Sequence, residues 1–158
     1  MKKAFVFDFD DTLATTDCQV IVRKWGKEIA KLTPAEYNSY PLADDCKFDY
    51  SEFTKLINPR ASFIMNLAQE VHGEGHEVYI LTARGTAAQD AINEFMLGHG
   101  VNCSSIICVG DEPEAIEAAK RRVFMTIVDS VDKCYFYDDH SGNIDAIPQS
   151  EKVRKYLV

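Results

Sequence analysis

The run Ala4–Phe9 is apolar at almost every position rather than at alternate ones, and short strand-like runs recur at Glu77–Leu81, Ser105–Val109 and Tyr135–Tyr137, with Val153–Val158 as a fifth at the edge. A strand patterned this way must be covered on both faces, as in a parallel sheet sandwiched between helices. The segments that separate the later runs have helix-period apolar residues: Ala61–His72, Ala87–Leu97, Pro113–Val131 and Ile144–Ile147. Strand and helix in alternation predict an α/β fold, a three-layer, Rossmann-like parallel sheet of five strands. Pro113, flanked by Asp111, Glu112 and Glu114, reads as a helix start.

Residues 14–60 do not fit this scheme, because the span is too long for one crossover. Ile21, Trp25, Ile29 and Leu32 form an apolar stripe at helical spacing, with Arg23, Lys27 and Lys31 roughly opposite. This predicts an amphipathic helix over Cys18–Leu32, with Trp25 as a core anchor. Breaks follow at Pro34 and Pro41, and a second short helical segment near Tyr50–Ile57. The expectation is a small helical cap inserted after the first strand and lying over the strand ends. The basic arc reads as a solvated face, or alternatively as a positive lid. At 158 residues the chain is expected to be one domain, residues 1–158, with the cap inside it.

Ligands of such sheets bind beyond the carboxyl ends of the strands, where strand order reverses. Asp8 and Asp10 end the first strand; Asp138 and Asp139 end the fourth. Were these strands neighbours, four carboxylates would converge and some would stay protonated unless a cation neutralised them. An oxygen-only ligand set suits Mg²⁺. Thr82 ends "VYILT" and Lys120 sits in a helical segment. A hydroxyl and an ammonium beside a metal would stabilise phosphoryl oxygens. Arg121, Arg122 and Lys133 compete with Lys120 for that role, whereas Arg84 could fork onto a phosphate or carboxylate. Asp111 and Glu112, in "VGDEPEA", read as helix-start residues. His72, His76 and His99 read as surface residues, and His140 as at most a substrate contact.

A net charge of -8 disfavours tight duplex binding, yet admits a phosphorylated small molecule or a nucleic-acid end in a local basic pocket. With 46% hydrophobic and 27% charged residues, the chain is not of the disordered class. No apolar stretch approaches the roughly 20 residues that span a bilayer, so no membrane partner is expected. Met1-Lys2-Lys3 precedes only a short apolar run broken at Asp8, unlike a signal peptide. The five cysteines form no CxxC pair and no zinc spacing. Cys108 and Cys134 read as buried thiols. A reducing, cytoplasmic location is the expectation.

Taken in order, "DFDDT", "ILT", a helical lysine and "YFYDD" resemble the haloacid dehalogenase superfamily of phosphohydrolases, over nearly the whole chain except the cap. "DDHSGNIDAI" is similar to that family's continuation, with Asn143 in the matching place. The resemblance implies Asp8 as nucleophile and Asp10 as general acid/base. It also implies Thr82 and Lys120 as phosphate-binding residues and Thr12 as the residue orienting Asp8. Mg²⁺ would sit on Asp8, the Asp10 backbone carbonyl and Asp138, with Asp139 completing the site. Arg84 stands where related phosphatases acting on polynucleotide ends carry an arginine, as do members acting on other substrates. A carboxylate can attack phosphorus to form an aspartyl-phosphate, provided a metal cancels the repulsion between anions. The expected function is a Mg²⁺-dependent phosphatase acting on a nucleotide, a sugar phosphate or a nucleic-acid end. The alternatives are a receiver-like phospho-acceptor switch and a phosphate-binding scaffold without turnover. The late acidic pair and the cap argue against the first, and intact Asp8 and Asp10 against the second.

Overall fold

The strands of the core are β1 (Lys3–Phe7), β7 (Glu77–Thr82), β8 (Ser105–Cys108), β9 (Lys133–Asp138) and β10 (Val153–Leu157) in a computed structural model describing residues 1–158. They form one sheet in the order β10-β9-β1-β7-β8, and every neighbouring pair is parallel. The core helices are α2 (Ile64–Gly73), α3 (Gln89–Gly98), α4 (Ile116–Asp129) and α5 (Ser141–Ala146).

Period-2 geometry divides each buried strand between two cores. Phe5 and Phe7 of β1 pack with Met65, Ala68, Ile92 and Met96 of α2 and α3. Ala4 and Val6 face the other way, onto Ala119, Phe124, Ile127 and Val128 of α4. Each fully buried Phe or Leu contributes about 1.5–3 kcal/mol relative to exposure. The α/β fold and its five-stranded parallel sheet are as expected from the runs of consecutive apolar residues. No helix is long and apolar enough to cross a membrane.

Some boundaries differ. The strand β1 stops at Phe7, so Asp8 already belongs to the loop. Pro113 is not the first residue of α4, which starts at Ile116. Asp111 is not a helix-start residue either, because its carboxylate accepts hydrogen bonds from the Thr86 N–H and hydroxyl, both at 2.7 Å. The helix read from Ala61 begins at Ile64, since Arg60 and Ala61 are used in a strand.

The cap is the main correction. It leaves through β2 (Ala14–Thr15) and returns through β6 (Arg60–Ala61), an antiparallel two-stranded stem. Where an amphipathic helix was expected over Cys18–Leu32, the chain forms a hairpin, β3 (Val20–Lys24) and β4 (Lys27–Leu32). With β5 (Cys46–Asp49) it makes a three-stranded antiparallel sheet, β4-β3-β5. Three consecutive β-branched residues, Val20-Ile21-Val22, favour a strand over a helix. Trp25 and Gly26 form the two-residue turn, with φ of 51° and 79°. Trp25 is therefore not a core anchor; it is 83% exposed. Of the expected basic arc, Arg23 pairs with Asp49 and Lys31 with Glu52. Helical structure in the cap is limited to α1 (Pro34–Asn38), started by a Thr33/Glu36 capping box, and a 3₁₀ turn at Ser51–Thr54.

Candidate active site

From β1 the chain runs outward to β7 and β8, then crosses back to β9 and β10 on the opposite side. The reversal opens a crevice at the carboxyl ends of β1 and its neighbours. Asp8 and Asp138 end up side by side there, because the Asp8 N–H donates to the Tyr137 carbonyl at 2.9 Å. Both are buried, at 6% and 0% exposure.

Lys120 reaches them from the second turn of α4, which packs on β1 and β9. Its Nζ donates to Asp8 Oδ1 at 3.0 Å and to Asp138 Oδ2 at 2.8 Å. The rival bases are engaged elsewhere or exposed: Arg122 pairs with Glu114, Lys133 donates to the Glu151 carbonyl, and Arg121 faces solvent. Asp138 also accepts from Asn143 Nδ2 at 3.1 Å and from the His140 N–H at 2.9 Å. The Thr12 hydroxyl lies 3.4 Å from Asp8 Oδ2.

Two carboxylates and one ammonium cannot all be charged and sum to zero. Burial pushes the Asp8 carboxyl well above the ordinary range, against the pull of Lys120 and with the help of Asp138. Burial also works against the charge on Lys120, but Asp8 and Asp138 outweigh it and hold the ammonium above its ordinary range. Carboxylate oxygens of Asp8, Asp138 and exposed Asp139 all lie within 4.8 Å of one another. Asn143 Oδ1 is buried without a hydrogen-bond partner. Three hard oxygen donors, an excess negative charge and an orphaned acceptor fit a divalent cation such as Mg²⁺.

Asp10 contributes no carboxylate to this cluster. Its two oxygens accept Arg84 Nε and Nη2, each at 2.8 Å. Arg84, read as able to fork onto a phosphate or a carboxylate, closes its fork on the Asp10 carboxylate rather than leaving it free for substrate phosphate. Its Nη1 donates to the carbonyls of Phe53 and Lys55 in the cap at 2.9 and 2.8 Å, and Nη2 also approaches Thr16 and Cys18. The guanidinium lies 4.9 Å from the Phe53 ring. Burial opposes the Arg84 charge, but Asp10 holds the guanidinium above its ordinary range. The Asp10 main-chain carbonyl receives no hydrogen bond from the chain.

Thr82 is buried at the end of β7, where its hydroxyl accepts the Arg84 N–H at 3.1 Å. The loop after it is stitched to the loop after β8 by Asp111 and by Gly110, whose N–H donates to the Arg84 carbonyl at 3.0 Å. A Cβ at Gly110 would lie 2.5 Å from the Ala83 carbonyl oxygen, so only glycine permits this approach.

The chain matches no protein-family model and no curated protein. Between the cap and the strand ends lies a crevice of about 600 Å³, lined by Asp10, Asp11 and Arg84 and by the cap aromatics Tyr37, Tyr50 and Phe53. Those cap aromatics, like the stitching role of Asp111, went unassigned in the sequence. Tyr37, Tyr50 and Phe53 are far apart in the chain and share no motif. The "GD" of Asp111 was the only signal available for the stitch.

Proposed function

We propose that the chain is a Mg²⁺-dependent phosphomonoester hydrolase of the haloacid dehalogenase type, working through an aspartyl-phosphate on Asp8. The observation that carries this reading is the buried Asp8–Lys120–Asp138 arrangement at the point of strand reversal, with Asp139 beside it. Asp8, Asp138, Asp139 and the Asp10 carbonyl would hold the ion, which when bound lowers the repulsion between a carboxylate and a phosphate.

The chain's own residues account for the rest. Lys120 holds one Asp8 oxygen and Thr12 approaches the other, which orients the carboxylate for attack on phosphorus. One Asp8 oxygen bonds to phosphorus as the ester P–O bond breaks. For this step Asp10 takes up a proton from solvent on one oxygen, releasing one tooth of the Arg84 fork, and hands that proton to the departing alkoxide. In the second half, water attacks the phosphorus, Asp10 takes its proton, and Asp8 is released with inorganic phosphate. Thr82 contributes a hydroxyl to the phosphoryl oxygens.

The test is release of phosphate from p-nitrophenyl phosphate and acetyl phosphate in Mg²⁺. The wild type should turn over and Asp8→Asn should not, because an amide is a poor nucleophile. Beryllium fluoride should form its adduct on the Asp8 carboxylate. An active Asp8→Asn enzyme would refute the assignment, and a stable phospho-Asp8 without turnover would favour the acceptor switch.

A further inference from the structure

Resting on the hydrolase reading of Asp8, we propose that the crevice selects a nucleoside monophosphate: one phosphate on a leaving group that is flat, ring-bearing and uncharged. The charge inventory excludes a second phosphate. Arg84 is the one cationic side chain lining the crevice, and its donors are taken by Asp10, the Phe53 and Lys55 carbonyls, Thr16 and Cys18. Lys120 is 1% exposed, and Asp8 and Asp138 hold it. The remaining charges on the lining are the carboxylates of Asp11 and Asp111, both on exposed residues. Beyond the one phosphate held at Asp8, a diphosphate, a bisphosphate or the next phosphate of an oligonucleotide would face these anions with no cationic side chain on the lining free to pair with it.

The aromatic wall supplies the attraction. Tyr50 is 49% exposed, and its hydroxyl lies 2.9 Å from that of Tyr37. One of those two hydroxyls donates to the other, which leaves the second proton for an acceptor on a heterocycle. Phe53 and Ile116 extend the apolar lining. The volume of about 600 Å³ lies within the range of small-molecule sites. Stacking of a base on an aromatic side chain corresponds to roughly 5- to 150-fold in affinity. A sugar phosphate offers no π-face for that wall.

Phosphate release by the full chain in Mg²⁺ should be compared for nucleoside 3′- and 5′-monophosphates, glucose 6-phosphate, nucleoside 3′,5′-bisphosphates and end-phosphorylated oligonucleotides. A mononucleotide should exceed each of the others by about tenfold or more in kcat/KM. Tyr50→Ala should raise KM for the mononucleotide about 10- to 100-fold more than for glycerol phosphate, and Tyr50→Phe should retain most of the difference. Equal use of glucose 6-phosphate, preference for bisphosphates or oligonucleotides, or a Tyr50→Ala effect common to both substrates would overturn the proposal. Calorimetry on Asp8→Asn separates the two readings. A mononucleotide that binds this variant, while the wild type hydrolyses no phosphate ester, sinks the hydrolase reading and supports the selection. A working hydrolase whose Asp8→Asn form fails to bind mononucleotide sinks the selection alone.

Discussion

Arg84 and Asp10 show how a side chain's role depends on its partner. A guanidinium that bound substrate phosphate would be felt in KM. Here the fork holds Asp10 and ties it to two cap carbonyls. Arg84→Lys cannot reproduce two parallel hydrogen bonds. Its kcat on alkyl phosphates should fall toward the loss expected for Asp10→Asn, about 10²–10⁴-fold, with less effect on esters with good leaving groups. A rise in KM at unchanged kcat would return Arg84 to the substrate. Asp49 supplies a second residue-scale outcome. Hydrogen bonds from Arg23 and Ser51 hold its carboxyl down to about 2, against an unfolded value of 3.8. The unfolded state thus binds more protons in this window, and the stabilisation is complete above pH 3.8 and lost as pH falls toward about 2. Acid unfolding of Asp49→Asn, followed by circular dichroism, should be less steep between those limits, and an unchanged slope would disprove the linkage.

At the scale of the element, the cap hairpin explains why a helix was read where two strands form. Positions 21, 25, 29 and 32 satisfy a 3.6-residue period by coincidence, since a two-residue turn lies between Lys24 and Lys27. In β4 the period is 2: Lys27, Ile29 and Lys31 are exposed, while Leu32 is buried on the side of Val20 and Val22. The turn demands positive φ at both residues, and Asn-Gly meets that demand better than Trp-Gly. Replacing Trp25 by Asn loses the contact of Lys24 with the indole, 4.9 Å from its centroid, worth about 0.5–1 kcal/mol at an exposed site. Relief of left-handed strain of about 1–2 kcal/mol outweighs it. The melting temperature of Trp25→Asn should rise by about 1–4 °C. A lower melting temperature would mean that the indole stabilises the hairpin by more than the turn costs.

On the scale of the whole molecule, two cores clamp the central sheet and force three charged side chains into a space shielded from water. A cation that completes the charge balance should stabilise the fold by mass action, about 2.7 kcal/mol at a concentration one hundred times Kd. At roughly 2–4 °C per kcal/mol, Mg²⁺ should raise the melting temperature by about 5–11 °C. The shift should disappear on chelation and shrink in Asp138→Asn. An ion-independent melting temperature in the wild type would remove the basis for a metal at this site.

What the sequence determined by itself was whatever follows from local periodicity and from composition. Short apolar runs alternating with helical segments imposed the parallel sheet, and the carboxylates at the ends of β1 and β9 marked the end of it where the candidate site lies. Lys120 was legible as a candidate, but three other basic residues, Arg121, Arg122 and Lys133, shared its neighbourhood; the rotation of α4 against β1 and β9 turned Lys120 inward. The fork of Arg84 onto Asp10 spans 74 residues, and the wall of Tyr37, Tyr50 and Phe53 comes from separate cap segments. Such pairings leave no trace in local spacing, because they arise only when the cap sheet folds back over the strand ends. Side-chain chemistry was encoded along the chain, while partner choice was decided by long-range packing, where burial made each unpaired charge too costly to leave alone.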